Sequence, residues 1–592
     1  MCGIAGFISE INIEDDILEA VADSLKHRGP DAYGVFNIPG SNTCMVHTRL
    51  SFFDLSDKGN QPMHFQELGL TISYNGEVYN FREIRKELEQ KGYTFISDSD
   101  TEVVLKAWHA WGTKSIDRFK GMFAFAIYDS KNKKLHLVRD RFGIKPLYYT
   151  HQKNTFGFAS ELKALRASGL FQMDTDWSAV CDFMVYRYVP SPKSIYENVH
   201  KLPPAHYLEY DTVANTTAIH EYWKLESGNK KDPKGELPAM VDEFLRKSVQ
   251  RHSRADVPVG MFLSGGYDSS AIAAYLKQNN YPHAQAFSIG FENWERSEHQ
   301  YAQIVANHLD IPLQSQLLDA TSLDYVDEMP QVYDEPIADI SIVPTYLVSK
   351  LARKNVKAVL SGEGADEIFG GYWWQKEYYR ITHPKSIKGK IKQLINGKAD
   401  PVKFYADAAS MGEFNVDELK KLLHPDLHQY IPEDPLWFYR KHLKKEWSPL
   451  KQMQYMDIKC FMAELILVKV DRASMANSLE VRVPFLDHEL FETIFSYHED
   501  AYYKSEVKKY CLHENIKGKL PQSIINREKQ GFVGPDQYYM KKDFYSKVFQ
   551  QSKLKKQGTF SDDYLDHLMN KPYDWRKWKI AVMDKWFDKW MA

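Results

Sequence analysis

Residues 259–270 read VGMFLSGGYDSS, and this stretch decides the fold of the second half of the chain. An apolar strand runs into a loop with two glycines, and a helix follows directly. The glycines let backbone N–H groups approach a ligand closely, and the start of a helix favours an anion. Asp268 can hold a divalent cation against phosphate oxygens, which an ordinary strand-to-helix turn would not require. The GK[ST] ending of a Walker loop is missing, so transfer of a γ-phosphoryl group is not predicted.

A second loop of this kind, LSGEGADEIFGGY at residues 360–372, follows the strand VKAVL. Strands and helices alternate around the two loops, which predicts a doubly wound parallel sheet. Loops that follow parallel strands open at the same edge, so we expect Asp268, Glu363 and Asp366 to face one crevice. Two aspartates around one metal, with a third carboxylate for proton transfer, make chemical sense there. From about Trp373 onward the pattern is mostly helical.

Composition limits the class of protein. The 592 residues favour two domains, and 43% hydrophobic with 26% charged residues fits a globular protein. A net charge of −3 lacks the basic excess of a nucleic-acid binder. Five scattered cysteines form neither a disulfide framework nor a zinc spacing, and no apolar run of membrane-spanning length occurs. We therefore expect a cytoplasmic protein that binds neither nucleic acid nor membrane.

The sequence pattern of the first half predicts short strands separated by turns. Residues 4–8 predict a strand, residues 15–26 carry apolar side chains at helical spacing, and MFAFAIYD with KLHLVRD predicts a hairpin. In LTISYNGEVYN, a strand is expected to end in a turn at Asn75-Gly76.

Two further patterns bear on the boundaries of elements and domains. Asn80 with Glu83 predicts a capping box for a helix that runs to about Lys91. The polar stretch YWKLESGNKKDPKGELP is rich in helix and strand breakers and marks a change of domain. We therefore divide the chain into a first domain at 1–215, a linker at 216–238 and a second domain at 239–592.

The motifs together resemble one family over nearly the whole chain. The first half carries MCGIAGF, HRGPD, RLS, NGEVYN, SDTE, GMFAFAIYD, RDRFGIKPLYY and ASELKAL. The second half carries LSGGYDSS, SIGF, SGEGADEIFGGY, KVDRASMANSLEVRVPFLD and REKQGF. In this order they are similar to the glutamine-hydrolysing asparagine synthetases of the B type. The resemblance implies an α+β N-terminal-nucleophile four-layer sandwich. An α/β doubly wound parallel-sheet ATP-pyrophosphatase domain with a helical C-terminal part would follow it.

The resemblance makes Cys2 the nucleophile of a class II glutaminase. Once Met1 is removed, the α-amino group, with an ordinary pKa of about 8, can serve as the base for its own thiol. The Asn75 amide and the Gly76 backbone N–H would hold the oxyanion, and such donors typically contribute about 3 kcal/mol each. The implied glutamine-binding residues are Arg49 for the α-carboxylate, Asp100 for the α-ammonium, and Glu77, which shapes the pocket.

In the second domain the resemblance implies ATP as substrate and Mg²⁺ as cofactor. An acceptor carboxylate would attack the α-phosphate of ATP, giving an acyl adenylate and pyrophosphate, while Asp268 and Asp366 hold Mg²⁺. Lys529 would steady the pentavalent phosphate, with Arg527 nearby, and Glu363 would deprotonate ammonia. The implied ATP-binding residues are Leu263, Ser264, Gly265, Gly266, Asp268, Ser269, Ser270, Ser288, Ile289, Ser361 and Gly362. An internal channel would carry ammonia, and dimers are common in the family, so a homodimer stays open.

The acceptor is where this chain departs from the family pattern. The best-known asparagine-forming branch has an arginine tied to aspartate recognition, whereas YDEPIADISIVPTY at 333–346 holds no basic residue. Either Arg482 or Lys469 pairs the α-carboxylate of aspartate, or the acceptor is another carboxylate such as a sugar uronic acid or a cell-envelope precursor. Bacterial relatives with a DEP-x-A-D segment favour aspartate. A catalytically dead sensor is disfavoured because the reactive positions are present.

One pair of charged residues has two interpretations. Asp471 and Arg472 either contact the ATP site or form an internal ion pair.

Overall fold

A computed structural model describes residues 2–295, 297–384, 386, 399–527, 531–532, 534–535 and 539–591. Its first domain contains two six-stranded antiparallel sheets. The strands are β1 (Gly3–Ser9), β2 (Ala32–Asn37), β3 (Thr43–Arg49), β4 (Met63–Phe65), β5 (Leu70–Val78), β6 (Gly121–Asp129), β7 (Lys134–Arg139), β8 (Tyr148–Gln152), β9 (Thr155–Ala159), β10 (Val199–Lys201), β11 (His206–Asp211) and β12 (Thr216–Glu221). The strand orders are β10-β8-β9-β1-β3-β2 and β12-β11-β7-β6-β5-β4.

The two sheets pack face to face because their strands alternate apolar side chains between both faces. Ile4 and Ile8 of β1 meet Ala124 and Ala126 of β6 in a core between the sheets. The intervening Phe7 points to the other face and joins the core beneath the helices.

Helices cover the outer face of each sheet. Asp15–Leu25 packs on β2 and β3, and Leu162–Ala167 packs on β9. Asp100–Trp111 packs on β5 of the other sheet, with Phe81–Gln90 beside it. A further helix, Trp177–Tyr186, follows. The predicted four-layer sandwich is thus confirmed.

The expected turn at Asn75-Gly76 is wrong, because β5 runs straight through it. Gly76 pairs with Phe123 of β6. A Cβ at Gly76 would lie 2.2 Å from the backbone oxygen of Met122, so the glycine permits close approach of two strands. The Asn-Gly pair is a local hairpin signal, and the neighbouring strand overrides it.

The predicted capping box at Asn80 is also wrong. Asn80 is the N-cap residue of Phe81–Gln90, but its side chain makes no capping hydrogen bond. Instead, Asn80 Nδ2 donates to the Arg118 oxygen, and Asn80 Oδ1 accepts from the Lys120 N–H, both at 2.9 Å. The side chain therefore fixes the loop before β6.

The predicted linker begins with a strand. Its first six residues, Thr216–Glu221, form β12 and pair with β11. The first helix of the second domain, Leu237–His252, starts near the end of that stretch. The exact division of the chain into 1–215, 216–238 and 239–592 stays a prediction.

The second domain is built on a parallel sheet, as predicted. Its strands are β13 (Val259–Phe262), β14 (Ala286–Phe291), β15 (Leu313–Leu318), β16 (Ala358–Leu360) and β17 (Glu480–Arg482). The order is β15-β14-β13-β16-β17, and every pair in this sheet is parallel. The chain winds outward from β13 in both directions, so the crevice between the ends of β13 and β16 is the expected ligand site.

Helices surround this sheet and form the C-terminal part. Around the sheet lie Tyr267–Gln278, His299–Leu309, Met329–Val332, Ile342–Arg353, Ala365–Phe369 and Trp373–Thr382. The later helices are Pro401–Ala409, Val416–Leu422, Trp437–Lys441, Pro449–Met456, Leu467–Met475, His488–Ser496, Tyr510–Ile516, Gln522–Ile525, Lys542–Gln551, Lys553–Lys556, Asp562–Met569 and Arg576–Trp590, with a π-helix at Asp457–Ile466. Within the described ranges, no helix combines the length and apolar character needed to cross a membrane.

Candidate active sites

Cys2 lies directly before β1, and only 8% of its surface is exposed. Its backbone N–H donates a 2.9 Å hydrogen bond to Asn75 Oδ1 of β5. Burial raises the pKa of the Cys2 thiol, while the Leu50 N–H and the Arg49 charge act in the opposite direction. The net effect is a protonated thiol, which needs a base before it can act as a nucleophile.

Asn75, which accepts from the Cys2 N–H, also carries an unpaired hydrogen-bond donor. Its side chain has no exposed surface, and Nδ2 finds no acceptor among the described residues. An unsatisfied buried donor costs about 1–3 kcal/mol, so a group that supplies an acceptor there would be stabilised. This is the arrangement expected of a donor to a tetrahedral oxyanion. Gly76, the other predicted donor, follows in the same strand.

Arg49 is held by the loop that follows β3. Nη1 donates to the Ser56 oxygen and to Asn60 Oδ1, both at 2.9 Å. Nη2 donates to the backbone oxygens of Asp54 and Phe53. Four of the five guanidinium donors are therefore engaged with residues 53–60, and a glutamine carboxylate would have to exchange with some of these acceptors.

Asp100 lies beneath β5 at the start of its helix. Asp100 Oδ2 accepts from the Tyr74 hydroxyl at 2.8 Å and from the Val78 N–H at 3.0 Å. Burial raises the pKa of Asp100 to about 6. Burial and the nearby Asp100 charge also raise the pKa of Glu77 well above its usual range.

Arg482, although it comes from the second domain, lies beside Glu77. Its Nη2 lies 3.5 Å from Glu77 Oε1, and its Nε donates to Glu480 Oε1 at 2.6 Å. Nη1 donates to the His252 and Arg254 oxygens. Arg482 does not line the cavity described next, so its pairing with the acceptor's α-carboxylate stays a prediction.

A cavity of about 330 Å³ opens where β13 and β16 end. Most of the predicted synthetase residues line it, namely Leu263, Ser264, Gly266, Asp268, Ser269, Ser288, Ile289, Ser361, Gly362, Glu363 and Asp366. Lys529 lies outside the described residues, so its role stays a prediction. Arg527, its neighbour in sequence, lines the cavity.

Two of the predicted ATP-binding residues do not line this cavity. Gly265 has φ +71°, and a Cβ there would lie 2.4 Å from the Tyr301 carbonyl carbon, so this glycine serves the turn. Ser270 has no exposed surface because it lies on the inner face of Tyr267–Gln278.

Lys509 is a residue of this cavity that sequence reasoning missed. Its ammonium lies 2.5 Å from Asp268 Oδ1 and 2.7 Å from Asp366 Oδ1, with 1% of the side chain exposed. Burial by itself would lower the pKa of Lys509, but the two carboxylates outweigh it and raise the pKa. Lysine pairs such as Lys508-Lys509 occur elsewhere in this chain, so no local signal distinguished it.

The converging carboxylates fit the Mg²⁺ that the family implies. Mg²⁺ usually binds one or two protein carboxylates together with water and substrate phosphates. No cluster of three or more histidine, cysteine or acidic side chains forms a metal site in the described part of the chain. Asp268 and Asp366 therefore suit a cation that shares its coordination with ATP.

The same cavity has a separate charged wall. Lys469 lines it, together with Asp339, Ser341 and Thr345. Of the two cations expected to pair an acceptor carboxylate, Lys469 is the one that lines this cavity.

Buried ion pairs join the two domains. Arg28 Nη1 donates to Glu161 Oε1 at 2.7 Å and to Asp471 Oδ2 at 2.9 Å. Arg472 lies 2.8 Å from Glu161 Oε1 and 3.2 Å from Asp334 Oδ1. Asp471 and Arg472 thus form internal ion pairs, which decides between the two interpretations in favour of a structural role.

A buried cysteine at the start of an N-terminal-nucleophile sandwich, joined to a parallel-sheet domain with a Gly-rich loop, defines a glutamine-dependent amidotransferase. The asparagine synthase family model matches residues 240–591, and the glutamine amidotransferase domain model matches residues 1–223. The chain belongs to the asparagine synthase family, and it is an enzyme of the glutamine-hydrolysing asparagine synthetase type.

Named relatives span nearly the whole chain. Asparagine synthetase [glutamine-hydrolyzing] 1 of Bacillus subtilis (strain 168) is 32% identical over 99% of this chain and 96% of its own length. Asparagine synthetase [glutamine-hydrolyzing] 3 of the same organism is 30% identical over 90% of this chain and 87% of its own. A protein named Amidase chry2, of Gibberella zeae, is 28% identical over 93% of this chain and 91% of its own.

Proposed function

We propose that this protein converts aspartate to asparagine, with glutamine as nitrogen donor and ATP as activator. The observation that carries the proposal is the cavity where β13 and β16 end, since one space holds both the nucleotide loops and a charged wall around Lys469. The buried Cys2–Asn75 arrangement in the same chain supplies a source of ammonia.

In the first domain, the α-amino group of Cys2 would take the thiol proton after Met1 is removed. The thiolate would attack the carboxamide carbon of glutamine, and the Asn75 amide with the Gly76 N–H would stabilise the oxyanion. Ammonia then leaves, and water hydrolyses the thioester to glutamate. Asp100 would bind the α-ammonium of glutamine, and Arg49 its α-carboxylate.

In the second domain, the β-carboxylate of aspartate would attack the α-phosphorus of ATP and expel pyrophosphate. Asp268 and Asp366 would hold Mg²⁺, which supplies positive charge to the phosphates. Lys509 already sits between these carboxylates and would face the departing pyrophosphate; Lys529 is proposed to steady the α-phosphate.

Ammonia would then attack the acyl carbon, and AMP leaves. Glu363 is the proposed proton acceptor, because it lines the cavity and its buried Oε2 has no hydrogen-bond partner in the described structure. A carboxylate oxygen without a donor is a better base than one that is already paired.

The test is product analysis of a reaction that contains aspartate, glutamine and Mg-ATP. Asparagine, AMP and pyrophosphate are expected in equal amounts, together with glutamate. Stoichiometric ADP and phosphate would contradict the adenylate route. A reaction without aspartate is the control for uncoupled ATP hydrolysis.

A second candidate keeps the chemistry and changes the acceptor to another carboxylate, such as a sugar uronic acid. It is favoured by the relative named as an amidase and by the lack of a basic residue between Asp334 and Pro344. If glutaminase activity and ATP binding were intact but no asparagine formed, this candidate would take first place.

A further inference from the structure

One wall of the nucleotide cavity carries opposite charges side by side. Lys469 Nζ donates to Ser341 Oγ at 2.7 Å and lies 3.5 Å from Asp339 Oδ1. Asp339 also accepts from the Ser341 N–H at 2.9 Å. All three side chains line the cavity, and each is largely buried. An ammonium has three donors, and Ser341 takes one of those of Lys469, so donors are available to a ligand.

The two charges are fixed by packed elements. Asp339 and Ser341 directly precede the helix Ile342–Arg353, and Lys469 lies in the helix Leu467–Met475. These two helices pack against each other. The charged pair is therefore held in place before any ligand arrives, which lowers the entropy that binding would cost.

Two cations, Lys469 and Arg187, act on the Asp339 carboxyl. Burial would raise the pKa of Asp339, but Lys469 and Arg187 outweigh it and keep this carboxyl ionised. Arg187 comes from the first domain, and its buried Nε has no acceptor among the residues that the structure describes. Asp339 is therefore an ionised carboxylate that can pair a ligand cation, and Lys469 keeps donors for a ligand anion.

We propose that Lys469 binds the α-carboxylate and Asp339 the α-ammonium of the acceptor, so that the acceptor class is an α-amino acid with a second, distal carboxylate. The assignment rests on the proposed function and deepens it. An acceptor with a neutral sugar ring would gain nothing from a fixed pair of opposite charges, whereas an α-amino acid carries both complements on one carbon. The distal carboxylate is then the group presented to the nucleotide loops in the same cavity.

The experiment deletes one charged group at a time from the substrate and from the protein. Succinate is aspartate without the α-ammonium, and β-alanine is aspartate without the α-carboxylate. KM for aspartate and the inhibition constants of succinate and β-alanine are measured by asparagine formation for wild type, Lys469→Met and Asp339→Asn. Lys469→Arg is the matched variant that keeps the charge.

Each variant should lose affinity only for the ligands that carry the charge complementary to the deleted group. Lys469→Met should raise KM for aspartate and the inhibition constant of succinate at least about tenfold. It should leave the inhibition constant of β-alanine within about twofold of the wild-type value. Asp339→Asn should weaken the binding of aspartate and of β-alanine to a similar extent. It should not weaken the binding of succinate. Lys469→Arg should restore most of the aspartate affinity. Glutamine hydrolysis at Cys2 without acceptor reports that each variant is folded.

An equal loss for all three ligands would overturn the inference, because a merely structural ion pair does not distinguish them. If the variants fail to fold, wild type alone decides: succinate and β-alanine that bind as tightly as aspartate would overturn it. A wild-type enzyme that forms no asparagine would overturn the proposed function, and the α-amino-acid assignment with it. That result differs from asparagine formation without the expected pattern of losses.

Discussion

Arg28 and Asp471 are joined by two hydrogen bonds of 2.9 and 3.3 Å across the two domains, although 443 positions separate them in the chain. The Arg28 side chain has no exposed surface, and its Nε donates at 3.1 Å to the backbone oxygen of Cys2. Asp471 of the second domain thus holds Arg28, which in turn fixes the backbone of Cys2, the proposed glutaminase nucleophile.

Asp471→Asn should destabilise the enzyme and impair glutamine hydrolysis together. Breaking one side of a buried ion pair costs about 3–5 kcal/mol, and we expect about 3 because Glu161 still accepts from Arg28. Melting temperature and kcat/KM for glutamine should both fall. Glu377→Gln breaks an exposed pair with Arg380 and is the matched control, with neither quantity expected to change. Equal melting temperatures for the two variants would contradict the prediction.

The sequence predicted the parallel sheet and most of the nucleotide site for a local reason. A strand, a glycine-punctuated loop and a helix lie next to each other in residues 259–270, and parallel strands must present such loops at one edge. The order of residues along the chain was therefore enough to place Asp268 and Glu363 in one crevice.

Contacts between distant segments were not predictable in this way. Lys509 reaches Asp268 from 241 positions away, and the pairing of Arg28 with Asp471 crosses the two domains. The error at Asn75-Gly76 has the same origin. The pair is a turn signal by itself, but the approach of β6 requires glycine within a continuous strand.

Cys2→Ala should abolish asparagine formation from glutamine and leave formation from ammonium salts near wild type. The thiol is confined to the first site, and the second site needs only ammonia. Asparagine formed with either nitrogen source is measured by amino-acid analysis. Cys44→Ala, at another buried cysteine whose thiol faces the Phe7 oxygen, should retain both activities. Loss of the ammonia-dependent reaction in a folded Cys2→Ala enzyme would refute the division into two sites.

The pH dependence of glutamine hydrolysis under acidic conditions should reflect the ionisation of Asp100. Burial raises the pKa of this carboxyl to about 6, and only its ionised form can bind the α-ammonium of glutamine. As pH falls below about 6, Asp100 is protonated, and kcat/KM for glutamine should drop by a further factor of roughly ten per pH unit, in addition to the fall caused by protonation of the Cys2 α-amino group. A profile between pH 4.5 and 8 measures it.

Two variants separate this carboxyl from its neighbours. Asp100→Asn should have low activity and lack the inflexion near pH 6. Asp98→Asn, which changes an exposed carboxylate paired with Arg85, should keep the wild-type profile. If the inflexion persisted in Asp100→Asn, another group would be responsible for it.

Lys509→Met should have opposite effects on catalysis and on cation binding. The ammonium lies between Asp268 and Asp366, where it competes with a divalent cation as long as no nucleotide is bound. Removing a unit charge this close should tighten Mn²⁺ binding at least about tenfold in the absence of ATP, as measured by electron paramagnetic resonance of free Mn²⁺. With ATP present the same ammonium is expected to stabilise the departing pyrophosphate, so kcat for pyrophosphate release should fall at least about a hundredfold.

Lys504→Met is the control, because it removes a lysine that lies outside the cavity and whose ammonium packs over the Tyr510 ring at 5.3 Å. It should change neither quantity. Unchanged Mn²⁺ affinity in Lys509→Met would show that Asp268 and Asp366 are not the cation ligands, and unchanged kcat would remove Lys509 from the reaction.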